Sequence, residues 1–109
     1  MLIGAALALT ALHNQGGPPR ALASLHGLSA LAGYALLLVA LQGPARGTAT
    51  GTQSFGIAAA ILLLLAAMIG VASVVIHMRR RRLPGFWAGA HAMVAIAGYV
   101  IVAVYLLAG

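Results

Sequence analysis

The chain has 109 residues, 63% of them hydrophobic, a net charge of +6, and no acidic residue or cysteine. That leaves too little polar surface to cover a water-soluble domain, so its outside is expected to meet lipid. Without carboxylates or thiols, paired acid/base catalysis, carboxylate-held calcium or magnesium, thiol chemistry and disulfides are all excluded.

Four spans follow from the apolar runs and the breakers between them. The first, 2–13, is short, about 18 Å at the helical rise, and Asn14-Gln15-Gly16-Gly17-Pro18-Pro19 ends it. No positive residue precedes this stretch, which counts against a secretory signal. The second covers 19–42, with Pro19 suited to its first turn, and a loop of Gly, Thr, Ala and Pro (43–52) follows. Ser54 is a candidate N-cap for the third, 54–80. The fourth begins at Pro84 and reaches 108. The apolar runs 57–78 and 86–108 exceed the ~20 residues that cross a bilayer. The expected architecture is all-α: one integral membrane domain, 1–109, folded as an up-down-up-down bundle of four transmembrane helices.

Arg20 and the block Arg79–Arg82 fall in the first and third connections, whereas Arg46 stands alone in the second. The positive-inside rule then puts the first and third connections in the cytoplasm and both termini outside. Without a basic face interleaved with aromatics, the charge does not point to nucleic acid. Rich Ala, Gly, Leu and Arg usage without Lys suggests a bacterial protein, hence the inner membrane.

The chain also repeats itself. Shifting 19–42 by 65 superposes Pro19 on Pro84, His26 on His91, Gly33 on Gly98 and Tyr34 on Tyr99, and a shift of 64 superposes His13 on His77. Two tandem helical hairpins, 1–42 and 54–108, account for this. Parallel repeats of this kind are related by an axis along the membrane normal. Spans one and three, and two and four, are then diagonal.

All four histidines are expected in the cytoplasmic half. His13 and His77 end spans arriving there, and His26 and His91 lie roughly 10 Å deeper than the starts of spans leaving it. Gly33 and Gly98 follow the inner histidines by almost two turns, on the same face. Gly70 and Ala6 stand seven residues before His77 and His13. Imidazole at one level with missing volume below it suits a flat, bulky cofactor. The competing explanation is helix packing, for which Gly and Ala are the usual residues; Gly85-Phe86-Trp87-Ala88-Gly89 is a candidate contact of that kind. Intramembrane ionisable residues nevertheless count as functional by default.

Zinc usually takes some thiolate, and copper would favour more nearby methionine than Met78 and Met93. Haem fits better, with His26 and His91 at its axial positions and Arg20 and Arg79 as partners for its propionates. The arginine block also has a purely topological explanation. On His26, His91, Gly33 and Gly98, with His13 and His77 less directly, the chain resembles the membrane four-helix b-type cytochromes. These include the ascorbate-linked and ferric-reductase kind and the cytochrome b subunits of respiratory enzymes. The resemblance implies haem b held by histidines on diagonal helices, with glycines making room for it. The chain departs from the two-haem members, which place one haem towards each membrane face. Here one haem, or two crowded into the same half, is expected.

Iron held by two histidines has no open position, so the implied function is electron transfer. Tyr34 and Tyr99 are candidates for contact with the cofactor or a quinone, or for packing. Expected partners are the bilayer, a quinone or redox protein, and further subunits, either copies of this chain or a larger complex. A pigment-binding or cofactor-poor anchor subunit is the first alternative, since histidine also ligates chlorophyll magnesium. A small four-span transporter is the second, disfavoured because no membrane carboxylate is present to couple protons. A fluoride-channel-like protein is disfavoured too, for want of its signature.

Overall fold

A computed structural model of the chain describes residues 1–13, 20–80 and 85–108. Among these residues there are four α-helices and no strand: α1 (Leu2–His13), α2 (Arg20–Leu41), α3 (Phe55–Arg80) and α4 (Gly85–Ala108). Their ends lie within one residue of the expected limits. Ala and Leu, the best helix formers, dominate the interiors. Pro19 and Pro84 lie outside the described residues. The Ser54 carbonyl accepts the Ala58 N–H at 3.1 Å, the first turn of α3, which puts Ser54 at the cap position.

Among the described residues three helices are long and apolar enough to cross a membrane: Arg20–Leu41, Phe55–Arg79 and Gly85–Ala108, with mean hydropathies of 1.7, 2.8 and 2.1. With three such helices the chain is a membrane protein. α1 has 12 residues, about 18 Å against a hydrocarbon core of about 30 Å. Where four spans are expected from the sequence, three helices meet the requirement and α1 falls short of it.

The chain divides into two compact units, Met1–Leu36 and Leu37–Gly109. In the second, α3 and α4 pack against each other. A stripe of small residues on α3 (Gly56, Ala59, Ala60, Ala66, Ser73) is buried, and on α4 Gly98 and Tyr105 are buried. With no hydrophobic drive between helices in lipid, close approach over small residues is what holds such a pair. A Cβ on Gly56 would meet the Tyr105 ring, one on Gly98 would meet Leu63, and one on Gly70 would meet His91. Each contact lies seven residues further along α3 and seven earlier along α4, so the pair is antiparallel and in heptad step. Glycine faces a large side chain every time, and the giver alternates between the helices. The Ser73 hydroxyl, on the same stripe, donates to the Ile69 carbonyl at 2.8 Å and so stays satisfied inside its own helix.

The loop before α3 turns at Gly47, whose φ of 78° suits glycine. It closes through the Thr52 N–H to the Gly47 carbonyl at 3.0 Å. Arg46, just before the turn, donates from Nη1 to the Leu106 carbonyl at 3.3 Å. That carbonyl belongs to the last turn of α4, where helix carbonyls lack partners and a cation is favourable. Arg46→Ala is expected to lower stability slightly, by roughly 0.3 kcal/mol for so exposed a contact. Exchange of the α4 C-terminal amides would report it as faster fraying.

In the first unit α1 is followed by α2, whose Leu25, Leu28, Leu31 and Leu36 are exposed. On a helix of this length and hydropathy, such a surface suits lipid.

Candidate functional site

His91 sits two turns into α4, in line with Gly98 and Tyr105 by the seven-residue step, and so faces α3. The α3 residue opposite is Gly70. His91 Cε1 lies 3.0 Å, and Nδ1 3.3 Å, from where a Gly70 Cβ would be. The missing side chain lets the ring lie almost on the α3 backbone. One turn earlier on α3, the Ala66 carbonyl is 2.7 Å from His91 Nδ1. A carbonyl oxygen only accepts, so Nδ1 carries the proton and donates it. In the neutral ring Nε2 then holds the lone pair. A histidine bonded this way has its orientation and tautomer fixed, the usual preparation of a metal ligand.

The first unit makes a matching contact. His26, half-buried on α2, places Cε1 3.3 Å and Nδ1 3.6 Å from where a Cβ of Gly4 on α1 would be. The same two ring atoms approach in the same order as at Gly70. Each unit thus lays its imidazole on a glycine of the preceding helix. Gly4 precedes Gly70 by 66 residues, close to the shift that relates His26 to His91. Ala6, the small residue seven before His13, is half-buried on α1.

The remaining candidates take different positions. Gly98 is buried and its space is taken by Leu63, whose Cδ2 and Cγ lie 2.9 and 3.0 Å from the Cβ position. Within this unit, therefore, the volume beside Gly70 and Gly98 is filled by the facing helix. Gly33 differs: it is exposed, with nothing within 4 Å of its Cβ position. Gly85 and Gly89, the expected contact face at the start of α4, likewise have nothing within 4 Å. Tyr34 is half-buried and Tyr99 is 53% exposed. Arg20 and Arg79 are exposed, and His77 is half-buried near the end of α3. The His13 side chain and Arg81–Arg82 lie outside the described residues. Among the described residues no three of His, Cys, Asp or Glu are grouped as a metal cage would group them.

Three participants escape a reading by motif: Gly4, the Ala66 carbonyl, and the Gly56–Tyr105 contact. Carrying the repeat back to Gly4, and following the heptad 56, 63, 70 against 91, 98, 105, would find the first and last. No sequence signal marks a particular backbone carbonyl.

The two superposed glycines should respond differently to alanine. Gly98→Ala must displace Leu63 near its branch point, at an expected cost of about 1–3 kcal/mol. Gly33→Ala meets nothing and should change stability by no more than about 1 kcal/mol. Unfolding in mixed detergent micelles would measure both, and equal costs would refute the contrast.

Comparison with protein-family models, with curated proteins and with solved structures finds no match.

Proposed function

We propose that this chain is a membrane-embedded, haem b-binding electron-transfer protein or cytochrome b-like subunit, with His26 and His91 as axial ligands. The observation that carries this reading is the His91 ring, whose Nδ1–H donates to the Ala66 carbonyl, so that the orientation of the imidazole is fixed. The matching seat of His26 on Gly4 supports a paired role. Donor chemistry favours iron porphyrin: the chain holds imidazoles but neither the thiolates nor the carboxylates that other metals prefer. When bound, haem would supply a one-electron couple, and with His26 and His91 both holding it, its chemistry would be electron transfer.

The other residues take subsidiary parts. Arg20 and Arg79, both exposed, are placed as propionate donors, Tyr34 and Tyr99 as contacts of the cofactor or a quinone, and Gly33 as the glycine beside it, while Gly70 and Gly98, whose space His91 and Leu63 take, serve helix packing instead. His13 and His77 would be the ligands of any second haem. The chain would lie in a bacterial inner membrane, with four spans up and down, the first and third connections cytoplasmic and both termini outside. Its partners would be a quinone or redox protein, and copies of itself or other subunits.

One observation favours a second reading. Leu63 and His91 fill the space beside Gly98 and Gly70, as they would in a cofactor-poor anchor subunit. The absorption spectrum of the purified protein separates the two. A sharp Soret band with α and β bands on reduction supports haem, and a red band supports a chlorophyll-type pigment. A colourless protein that stays unchanged on adding haemin would overturn the haem assignment.

A further inference from the structure

We infer that Gly70 is a positioning residue for His91: its bare backbone lets the imidazole reach the Ala66 carbonyl, which fixes the proton on Nδ1. The argument begins with distance. His91 Cε1, Nδ1 and Nε2 lie 3.0, 3.3 and 3.8 Å from the Gly70 Cβ position. Any side chain there would press on the carbon and on the nitrogen that makes the bond. The ring would have to give by a few tenths of an ångström, which lengthens and weakens the 2.7 Å contact with Ala66.

The acceptor is well chosen. A helix carbonyl has two lone pairs, of which the i→i+4 bond uses one, so the Ala66 oxygen can accept a second donor. Ala66 is only 3% exposed, so little water competes for it. In free histidine the tautomer with the proton on Nε2 predominates. The seat on Gly70 therefore selects the less common tautomer, the one whose lone pair is at the far end of the ring. Glycine here does more than let two helices approach. It sets which nitrogen carries the proton.

Only the last step, use of Nε2 as a ligand, rests on the haem reading; the tautomer does not. The test is nitrogen NMR of the full chain, labelled with 15N-histidine and without added cofactor, in detergent micelles. Protonated and unprotonated ring nitrogens differ widely in shift, so the tautomer is read directly. His91 should be protonated at Nδ1 and bare at Nε2. Gly70→Ala should move it towards the Nε2–H form, whereas Gly89→Ala, where the Cβ meets nothing, should leave it unchanged. A wild-type ring protonated at Nε2 overturns the inference, even where Gly70→Ala does not fold. So does a folded Gly70→Ala protein with the wild-type tautomer.

Haemin added to the same samples separates the two claims. Gly70→Ala is expected to bind it at least about tenfold more weakly, the usual effect of losing a partner that orients a ligand. If wild type shows the Nδ1–H tautomer but takes up no haemin, the haem reading fails and the positioning role stands. If wild type takes up haemin but carries the opposite tautomer, the haem reading stands and the positioning role fails.

Discussion

Replacing His91 by glutamine is expected to abolish the bis-imidazole haem spectrum while leaving the α3–α4 pair folded. Glutamine is the informative choice because its amide can still donate to the Ala66 carbonyl, yet offers iron no nitrogen lone pair. Interhelical hydrogen bonds in membranes average about 0.6 kcal/mol, so even a poorer bond costs the fold little. Loss of colour in H91Q therefore cannot be put down to unfolding, as it could in H91A, where the notch at Gly70 would be left empty. The measurement is the reduced-minus-oxidised spectrum beside circular dichroism of the same sample. His26→Gln should behave alike, since His26 occupies the corresponding seat on Gly4. An unchanged spectrum in either variant would remove that histidine from the ligand set.

The second large effect is structural and lies at the other end of the same helix pair. Gly56→Val is expected to destabilise Leu37–Gly109 more than alanine does at Gly70 or Gly98. A Cβ there would lie 2.5 Å from Leu41 Cδ2, 2.9 Å from Tyr105 Cζ and 3.1 Å from Tyr105 Cε2. Leu41 can swing a methyl away. Tyr105 is rigid and only 5% exposed, so helix separation is the remaining relief. Overpacking costs about 1–3 kcal/mol, and a branched residue belongs at the top of that range. Tyr105→Ala errs in the opposite direction, leaving a void at the low end of the ~3–5 kcal/mol seen for aromatic deletions. Lipid is as apolar as the ring, so only the packing part of that cost survives here. Combining Gly56→Ala with Tyr105→Ala should recover about 1 kcal/mol relative to the sum of the single changes, since losing the ring removes what the new Cβ collides with and the Cβ fills part of the void. Strict additivity in a micelle unfolding series would mean that the two residues do not meet.

What the sequence discloses divides along chemical lines. The helix ends were legible because Gly, Pro and Ser interrupt an otherwise uniform apolar text, and the shortness of α1 follows from counting. His26 and His91 stood out because histidine is rare and repeats at a fixed interval. Gly98 was legible as a missing side chain, but its neighbour was not. Leu63 sits inside the run Leu62–Leu65, where nothing distinguishes the leucine that turns towards α4. A gap that suggests room for a cofactor therefore proves, within that unit, to receive a leucine. The Ala66 carbonyl was beyond reach for a different reason. Every residue has one, and only the seat at Gly70 singles this one out.

The alternating order of notches and large side chains along α3 and α4 bears on how this pair finds its alignment. In water, sliding one apolar helix past another exposes hydrophobic surface, and that penalty holds the register. In lipid the penalty vanishes. Shape has to take its place. Sliding by one heptad in one direction would set Gly56 against Gly98 and drive Leu63 into His91. The other direction would set Gly70 against Gly98 and drive Leu63 into Tyr105. Either slip creates a gap and a collision together, so the pair has a single comfortable alignment, and that alignment brings His91 level with Gly70.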